Sequence, residues 1–480
     1  MSAGIAGEML LSSFIDGAPV APGPARMRWV QAGSGGVLAI AEAEEDVVAR
    51  AVDSARLAFE AQRPSPLTVR LRHLQSLRDA LAGEAAALAR IISEDVGKPI
   101  RVARGEVARG LQFVDACMAE LAHIGGEVIP LDAVAAGVGR VGYTRRFPYG
   151  VVAAITPFNA PVNLLVQKLA PAIAAGNACV AKPAPASLRT ALRLAAAACE
   201  AGLPAGMMNV LAGDKAAALA LAGHPKVGVV SFTGGVQAGE ALAKATGVRR
   251  FVSELGSSAA NVVLADADLP SAAAKIAAAA FEASGQQCIS AQRVIVEAPV
   301  YDAFAARFAA AAEGMRVGPA SDEQTDIGPL VSEASADRIM ALCEDAIAHG
   351  ARYRLAPRRA GLILSPVILE EVNPSSRLWY EEVFGPVAVL IRADDAGHAL
   401  ELANDSPFGL QGALFTRSLE HAFRFAESFD VGALWVNEAS RFRLDMYPFG
   451  GMKLSGTGRE GVRYAIEELS QLKFTGIAWQ

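Results

Sequence analysis

Cysteine and histidine are scarce in this sequence, and the few that occur lie far apart. The 480 residues contain 5 cysteines and 6 histidines. An odd number of widely separated cysteines in a chain of this length argues against a disulfide framework. No cysteine or histidine has a second such residue at zinc-ligand spacing. We therefore expect neither disulfides nor a metal site.

The chain also lacks an excess of positive charge and an uninterrupted apolar segment. Its 44 lysines and arginines are outnumbered by 50 aspartates and glutamates, so there is no electrostatic footprint for nucleic acid. The longest apolar stretch, residues 150–182, is broken by Pro157, Pro161 and Pro171, whereas a membrane span needs about 20 mostly apolar residues. The first residues do not resemble a signal peptide. We expect a cytoplasmic protein that binds neither nucleic acid nor membranes.

What the sequence does have is a regular alternation of short apolar runs with helical segments. From residue 151 onward buried strands and helices alternate, and a second series of the same kind begins after Gly256. Such alternation indicates βαβ units and a parallel sheet. The composition, 52% hydrophobic and 20% charged, is sufficient for a large core. The pattern predicts an α/β protein with two parallel-sheet domains.

A small strand module is predicted beside these two domains. Residues 129–148 have an alternating, hairpin-like pattern, and the C-terminal residues 468–480 are suited to a strand that pairs with them. A module built from two distant segments often projects from the body of a protein. We predict that it mediates assembly into a homodimer or a homotetramer.

One glycine-rich segment stands where a phosphate could bind. The segment "SFTGGVQAG", residues 231–239, ends a predicted strand and opens a helix at Gly234 and Gly239. The free N–H groups and the dipole of a helix start favour anions such as a pyrophosphate. A plain glycine-rich turn is the alternative.

A thiol and a carboxylate occupy positions that suit covalent catalysis. Cys288 follows a helical segment in the polar setting "GQQC", and Glu254 ends a predicted buried strand. Ligands of α/β proteins bind beyond the carboxyl ends of parallel strands, where a thiol and a water-activating base can act together. A buried cysteine that fills the core is the alternative, and residue types alone leave both interpretations open.

Eight segments that follow one another along the chain carry a resemblance to a known family. They are "ITPFNAPVN", "AKPAP", "SFTGGVQAG", "SELGSSAANVVLADADL", "GQQCIS", "EEVFGPV", "WVN" and "PFGGMKLSGTGRE". Over essentially the whole chain, this order closely resembles the NAD(P)-dependent aldehyde dehydrogenase superfamily. The segments "ELGSSAAN", "GQQCISAQR" and "FRLD" resemble its branch of lactaldehyde, non-phosphorylating glyceraldehyde-3-phosphate and phosphonoacetaldehyde dehydrogenases.

The resemblance implies a fold and a division of the chain. The expected fold has two Rossmann-like parallel-sheet domains and a small β oligomerisation module. The expected parts are a coenzyme-binding domain of residues 1–128 and 147–255 to which 447–463 return, a catalytic domain of residues 256–446, and an oligomerisation module of residues 129–146 and 464–480.

The resemblance also implies catalytic roles for three residues. Cys288 matches the nucleophile that forms a thiohemiacetal and then a thioester, and Glu254 matches the base that activates the hydrolytic water. Asn159 matches the amide that stabilises the oxyanion, a donor typically worth about 3–4 kcal/mol in the transition state. An unperturbed cysteine has a pKa of about 8.5, so the site must raise the thiolate fraction. The alternative for Asn159 is a turn residue after Pro157.

Cofactor contacts follow from the same resemblance. Lys182 matches the lysine near the adenosine ribose, Glu382 matches the acid that holds the nicotinamide ribose, and Phe384 matches a residue packed beside that ring. The cofactor-binding positions that the resemblance implies are Ile155, Thr156, Pro157, Phe158, Lys182, Pro185, Gly213, Phe232, Thr233, Gly234, Gly235, Leu255, Gly256, Glu382 and Phe384.

At two positions the sequence departs from the family pattern. NAD-preferring members often have a glutamate three residues after the lysine, and here that position is Pro185. The missing carboxylate would have repelled a 2′-phosphate, so we predict that NADP is accepted beside NAD or in preference to it. Relatives with phosphorylated substrates place an arginine immediately before the nucleophile, where this chain has Gln287. This difference disfavours glyceraldehyde 3-phosphate.

The positions that face the aldehyde in the family are mostly polar here. Enzymes for long or aromatic aldehydes tend to have apolar walls, so we expect a short hydroxylated or anionic aldehyde. Alternatively, the arginines pair with nearby carboxylates such as Asp445. The implied substrate positions are Arg109, Asn163, Leu164, Gln167, Gln287, Ile289, Arg441 and Arg443.

Two other functions are compatible with the same fold. Relatives that acylate coenzyme A often lack the carboxylate at the Glu254 position, because water must not outcompete the thiol. A non-catalytic binding or structural protein would have lost Cys288, Glu254 or Asn159. All three residues are present, which favours a hydrolytic dehydrogenase.

Overall fold

Two largely parallel β-sheets dominate the computed structural model, which describes residues 9–21 and 26–479. Apolar side chains are buried on each sheet and under the helices that cover it. Within this described part of the chain, no helix is long and apolar enough to cross a membrane.

Helices and short strands alternate along most of the chain. The helices are α1 (Glu45–Ala61), α2 (Leu67–Gly83), α3 (Ala85–Val96), α4 (Ile100–Glu120), α5 (Pro161–Ala175), α6 (Leu188–Glu200), α7 (Lys215–Gly223), α8 (Val236–Thr246), α9 (Leu269–Phe281), α10 (Tyr301–Glu313), α11 (Glu333–Ala348), α12 (Arg377–Tyr380), α13 (Ala396–Asn404), α14 (Leu419–Ser428) and α15 (Val462–Glu468). The strands are β1 (Met9–Leu11), β2 (Phe14–Ile15), β3 (Ala18–Pro19), β4 (Met27–Gln31), β5 (Val37–Ala41), β6 (Val128–Ile129), β7 (Arg140–Pro148), β8 (Val151–Thr156), β9 (Ala178–Pro183), β10 (Met208–Val210), β11 (Val229–Thr233), β12 (Arg250–Glu254), β13 (Ala260–Val263), β14 (Arg293–Glu297), β15 (Arg352–Leu355), β16 (Arg359–Ala360), β17 (Ile363–Leu364), β18 (Val367–Glu370), β19 (Val387–Ala393), β20 (Phe408–Gly409), β21 (Gln411–Phe415), β22 (Ala433–Val436), β23 (Met452–Lys453), β24 (Gly456–Thr457) and β25 (Ser470–Ala478).

The first large sheet has the strand order β24-β12-β11-β8-β9-β10-β2-β3. Strands β12, β11, β8, β9 and β10 run parallel, while β24 and β2 join the two sides antiparallel. Every residue of β8 and β9 is buried, as expected for central strands whose two faces are both covered. The strand β24 comes from the C-terminal part of the chain and completes this sheet.

The second large sheet has the order β15-β18-β19-β14-β13-β21-β22. In this sheet β18, β19, β14, β13, β21 and β22 run parallel to one another, and the edge strand β15 pairs antiparallel with β18. The sheet draws its strands from residues 260–436, so a new series of βαβ units does begin after Gly256.

A three-stranded antiparallel sheet joins the chain terminus to a distant segment. Strand β25 pairs with β7 along its whole length, with Ser470 opposite Pro148 and Ala478 opposite Arg140, and β6 pairs with the other side of β7. The predicted pairing of the C-terminal residues is therefore confirmed. The role of this sheet in assembly and the boundaries of the domains remain predictions.

The parallel strands of the first sheet bring several candidate residues to one edge. Thr156 ends β8, Thr233 ends β11 and Glu254 ends β12. Helix α5 starts with Pro161, whose fixed φ suits a first helical position, and every one of its residues is buried. This edge of the sheet is where α/β proteins bind their ligands.

Candidate active site

A cavity of about 560 Å³ lies between helices α4, α5 and α9 and the segments around residues 288 and 441. It gathers the predicted nucleophile, the predicted oxyanion donor and all the predicted substrate positions. Its predicted lining residues are Arg109, Asn159, Asn163, Leu164, Gln167, Gln287, Cys288, Ile289, Arg441 and Arg443. Glu254 and the predicted cofactor residues lie outside this lining.

An unusual backbone turn precedes Cys288. Ala283, Ser284 and Gly285 all have left-handed backbone angles, with φ of 52°, 60° and 62°. Such angles cost roughly 1–2 kcal/mol for each residue that is not glycine. A Cβ at Gly285 would lie 2.2 Å from the Gly385 carbonyl oxygen, so glycine is required there. The turn leads the chain from the end of α9 directly into the cavity wall.

Neighbouring backbone groups hold this turn in place. The hydroxyl of Ser284 donates to the Gly328 carbonyl at 2.7 Å, and the N–H of Ala283 donates to the Asp326 carbonyl at 3.2 Å. Burial of the turn by the loop at 326–328 compensates for its strained angles. The position of the thiol therefore depends on a segment about 40 residues further along the chain.

The surroundings of Cys288 favour the neutral thiol over the thiolate. Burial and the negative charge of Glu382 raise its pKa to about 12, while the positive charge of Arg443 acts in the opposite direction. Because the thiolate is the nucleophile, reaction requires that a base removes the proton of this thiol.

Glu254 is a buried carboxyl group without local partners. It is 2% exposed, and neither carboxyl oxygen has a hydrogen-bond partner among the described residues. Burial and the nearby Glu460 raise its pKa well above the ordinary value, while Arg443 and Lys168 oppose the shift. A carboxylate with a raised pKa is a stronger base than an ordinary one, which suits a general base.

Asn159 lies between β8 and α5 with an unused acceptor. Its side chain is 8% exposed, and within the described part of the chain its Oδ1 receives no hydrogen bond. It lines the cavity together with Cys288. Two neighbouring residues of the same cavity thus offer a side-chain amide and a thiol.

Each arginine of the cavity wall is paired with a carboxylate. Arg109 binds Asp445 through two hydrogen bonds, of 3.0 and 2.7 Å. Arg441 pairs with Glu282 and donates from Nε to Gln287 at 2.8 Å. The alternative of arginine–carboxylate pairing is therefore realised, with Asp445 as the partner of Arg109.

Arg443 differs from Arg109 and Arg441 because its hydrogen bonding is incomplete. Its Nη2 lies 3.0 Å from Glu460 Oε2 and 3.2 Å from Gln167 Oε1, while its Nε is 3.8 Å from Asp445 Oδ1. That Nε is buried and has no hydrogen-bond partner among the described residues. This guanidinium N–H therefore has only the longer ion-pair contact with Asp445.

A buried ion pair beside the cavity, Lys168 with Glu460, was not found by sequence reasoning. Lys168 is 1% exposed, and its Nζ lies 3.1 Å from Glu460 Oε1. We call Lys168, Glu460, Arg443, Asp445 and Arg109, with the bridging amide of Gln167, the charge network. A lysine within the otherwise apolar run "LLVQKLAPAIAA" was the available signal. Glu460, the last residue of "SGTGRE", was not predicted as a site residue.

Comparisons with known proteins assign this chain to a family. The profile described as "Aldehyde dehydrogenase family" matches residues 31–475. The chain belongs to the aldehyde dehydrogenase family. It is an NAD(P)-dependent aldehyde dehydrogenase, and the predicted family and enzyme class are confirmed.

Individual relatives agree with this assignment. This aldehyde dehydrogenase is 40% identical to the 3-sulfolactaldehyde dehydrogenase of Priestia aryabhattai over 433 residues, which cover 90% of each chain. It is 36% identical to the lactaldehyde dehydrogenase of Methanocaldococcus jannaschii over 428 residues, 88% of this chain and 91% of the relative. The NADP-dependent glyceraldehyde-3-phosphate dehydrogenase of Bacillus halodurans, solved with NADP, has a TM-score of 0.94 at 31% identity and covers 98% of this chain and 99% of its own. The predicted fold class is confirmed.

The predicted nicotinamide-side residues of this aldehyde dehydrogenase lie close together. The rings of Phe158 and Phe384 meet edge to face at 5.8 Å. Glu382 accepts a hydrogen bond of 3.1 Å from the Ser257 N–H, and burial raises its pKa to about 8. A Cβ at Gly256 would lie 3.0 Å from Glu382 Oε2, so the absence of a side chain there keeps the carboxylate in place. These contacts fit a bound nicotinamide riboside.

The predicted adenosine and pyrophosphate residues also fit a dinucleotide. Helix α8 begins directly after Gly235, and a Cβ at Gly234 would lie 2.5 Å from the Phe232 ring. Lys182 is 5% exposed, and burial lowers the pKa of its ammonium group to about 8. A buried ammonium group of this kind is suited to an acceptor that a ribose or a phosphate supplies.

The remaining predicted cofactor residues surround these contacts. Pro185 follows Lys182 and opens a short helical turn, and no carboxylate stands at that position. Gly213 has a left-handed φ of 142°. The others lie at strand ends or directly after them, namely Ile155, Thr156, Pro157, Thr233 and Leu255.

Proposed function

We propose that this aldehyde dehydrogenase oxidises a short anionic aldehyde to its carboxylic acid, with Cys288 as the nucleophile. The observation that carries the substrate class is Arg443, a cavity-lining arginine whose buried Nε makes no hydrogen bond among the described residues and lies 3.8 Å from Asp445 Oδ1. An unsatisfied buried donor costs about 1–3 kcal/mol, and more on a charged group. A negatively charged substrate group would supply the missing acceptor.

The charge network supports the same substrate class. Its three cations, Lys168, Arg443 and Arg109, face two carboxylates, Glu460 and Asp445. One positive charge therefore has no counterpart when Glu254 is protonated. A wall with excess positive charge attracts an anion and discriminates against apolar aldehydes of similar size.

The substrates of relatives also support a short anionic aldehyde. These relatives act on 3-sulfolactaldehyde, lactaldehyde and glyceraldehyde 3-phosphate, which are short aldehydes, and two of them carry a sulfonate or a phosphate. Gln287 replaces an arginine before the nucleophile, and the nearby Arg441 is neutralised by Glu282. A singly charged sulfonate or carboxylate therefore suits this cavity better than a phosphate dianion.

The first half of the reaction forms a thioester. Sγ of Cys288 attacks the carbonyl carbon as its proton passes to Glu254, directly or through water. The oxyanion of the thiohemiacetal accepts hydrogen bonds from the Asn159 amide and the Cys288 N–H. NAD(P)+, when bound by the residues described above, supplies the hydride acceptor for this carbon, which is left as a thioester on Cys288.

The second half of the reaction is hydrolysis. Glu254 first releases to solvent the proton that it took from Cys288, and then takes a proton from a water molecule while the resulting hydroxide attacks the thioester carbonyl. The C–S bond breaks, the carboxylic acid leaves and Cys288 regains a proton. The raised pKa of Glu254 suits this role, because a stronger base removes a proton from water more readily.

Rates with a panel of aldehydes test the proposal. The panel contains succinate semialdehyde, lactaldehyde, a phosphorylated aldehyde, benzaldehyde and hexanal, each with NAD and NADP. We expect kcat/KM to be highest for a short anionic aldehyde, to vanish in Cys288→Ala, and to fall about 100-fold in Arg443→Ala for the anionic aldehyde. Lactaldehyde should lose far less, and the exposed Arg463→Ala serves as the control.

Two results would contradict the proposal. An unchanged kcat/KM of Arg443→Ala for the acidic aldehyde would refute the anionic substrate class. Formation of an acyl-thiol instead of the free acid, when coenzyme A is added, would refute hydrolysis by Glu254-activated water.

We also propose that the three-stranded sheet of β6, β7 and β25 joins subunits. The expected division of the chain into a coenzyme-binding domain, a catalytic domain and an oligomerisation module is part of the same proposal. Leu472 and Phe474 share one face of β25 and are 61% and 52% exposed, and exposed apolar residues of this kind mark association surfaces. Leu472→Asp with Phe474→Asp should give monomers in light-scattering chromatography. An unchanged mass would refute this surface.

A further inference from the structure

Glu254 and an anion in the cavity neutralise the same excess charge. With Glu254 protonated, the charge network carries one more cation than carboxylates. With Glu254 ionised, the sum over the network and Glu254 is zero. The remaining charged pairs of the lining are each balanced, namely Lys98 with Glu106, Arg101 with Asp326, Lys275 with Glu438, and Arg441 with Glu282.

Arg443 is the group that links the two candidate anions. It lines the cavity, and it lies close enough to Glu254 for each charge to affect the pKa of the other. Its side chain is 6% exposed, so water screens these interactions poorly. Charges that share a buried cation in this way cannot be independent of each other.

We propose that binding of the substrate's anionic group at Arg443 is coupled to protonation of Glu254. This inference rests on the anionic substrate proposed above. By linkage, an anion at Arg443 favours the protonated form of Glu254, and an ionised Glu254 weakens anion binding. An anionic substrate thereby adjusts the general base that later activates water for its own thioester.

The groups around Glu254 limit what else could titrate. Besides the charge network, Arg459 and Cys288 are its charged or ionisable neighbours. Arg459 is half-buried and donates to the carbonyls of Gly451 and Gly458. Arginine keeps its charge at all relevant pH values, and the thiol of Cys288 has a pKa raised to about 12. Glu254 is therefore the group of this cluster that we expect to titrate, with a pKa that burial and Glu460 raise above its ordinary value.

Binding of 2-hydroxyethanesulfonate to the full chain tests the coupling. This probe keeps one negative charge at every pH used and has no carbonyl, so no turnover occurs. Calorimetry between about pH 6 and pH 9 should show Kd rising at least about fivefold with pH, the lower range of typical coupling. Repeating the titration in buffers of different ionisation enthalpy should show proton uptake on binding.

Two variants assign the effect. Glu254→Gln should bind the sulfonate with a Kd that is nearly independent of pH and without proton uptake. Glu382→Gln is the matched control, because Glu382 is a carboxyl near Cys288 with a pKa raised to about 8 but outside the charge network. It should keep the pH dependence. Circular dichroism checks that both variants fold.

The outcomes separate the coupling from the proposed function. Sulfonate binding that does not depend on pH in the unaltered chain overturns the coupling and leaves the anion site intact. The same pH dependence in Glu254→Gln also overturns it, because another group would then be titrating. No sulfonate binding at any pH overturns both the anionic substrate and the coupling.

Discussion

Arg443 and Glu460 are paired in the wall of the active-site cavity, with Nη2 of the arginine 3.0 Å from Oε2 of the glutamate. Both side chains are buried, at 6% and 5% exposure, and the guanidinium carbon lies 3.6 Å from the centre of the Phe449 ring. Arg443 is thus held in position before a substrate arrives. A cation fixed in this way loses little entropy when it binds an anion.

The oxyanion role of Asn159 predicts a loss of turnover. Asn159→Ala should lower kcat about 100- to 1000-fold, because the amide donor stabilises charge that develops only in the transition state. KM should change little by comparison. Steady-state kinetics with the best aldehyde provide the measurement.

Asn163→Ala is the control for this prediction. Asn163 lines the same cavity, and its Oδ1 also lacks a partner among the described residues, but we assign it to substrate contact. It should affect KM more than kcat. Equal losses of kcat in both variants would contradict the role of Asn159.

The charge of Glu382 predicts how reactive the Cys288 thiol is. The carboxylate raises the thiol pKa, so Glu382→Gln should lower that pKa and speed alkylation by iodoacetamide. Glu382 itself has a pKa of about 8, so the difference should appear above that pH and shrink below it, where Glu382 is already neutral. Glu438→Gln, a cavity carboxylate paired with Lys275, serves as the control. Identical alkylation rates at high pH would count against this account.

Pro185 predicts which coenzymes bind. Pro185→Glu should weaken NADP and strengthen NAD, because the new carboxylate repels a 2′-phosphate and accepts hydrogen bonds from ribose hydroxyls. The comparison of 2′,5′-ADP with 5′-AMP by calorimetry isolates this contact. If the unaltered chain binds NAD and rejects NADP, the prediction is wrong.

Lys182 adds a pH dependence to the same measurement. Burial lowers its pKa to about 8, so the ammonium group is charged below that pH and neutral above it. Affinity for 2′,5′-ADP should therefore fall as the pH rises through about 8, relative to affinity for 5′-AMP. Lys182→Met should remove the dependence.

A buried ion pair beside the cavity predicts a loss of stability. Glu106 Oε2 binds the Lys98 ammonium group, and Glu106 Oε1 accepts hydrogen bonds from the N–H groups of Val162 and Asn163 at the start of α5. Glu106→Gln leaves the Lys98 charge buried without a partner, which typically costs about 3–5 kcal/mol. Urea denaturation measures the change in the free energy of unfolding.

An exposed pair provides the control for this measurement. Arg56 and Glu60 are 39% and 50% exposed, so Glu60→Gln should cost less than about 1 kcal/mol. A similar small loss in Glu106→Gln would show that the Lys98–Glu106 pair contributes little to stability.

Local sequence patterns predicted much of the fold. The apolar runs of β8, β9, β11 and β12 form central strands of a parallel sheet. Strands covered on both faces do not alternate between apolar and polar residues, so the continuous runs correctly indicated a parallel sheet. Cys288, whose polar setting favoured a nucleophile, lines the cavity, and its role stays a prediction. The same reasoning did not predict the strained turn at Ala283 and Ser284, because neither residue normally adopts a left-handed angle.

Sequence by itself determined the elements, the order of the motifs and the identities of the reactive groups, because these depend on periodicity and on residue type. Only the tertiary structure decided which charges meet. Arg109 and Asp445 are 336 residues apart in the chain and share two hydrogen bonds, and Lys168 meets Glu460 across 292 residues. The raised pKa of Glu254 and the incomplete hydrogen bonding of Arg443 follow from such contacts, since burial and Coulomb interactions depend on distance in space and not along the chain.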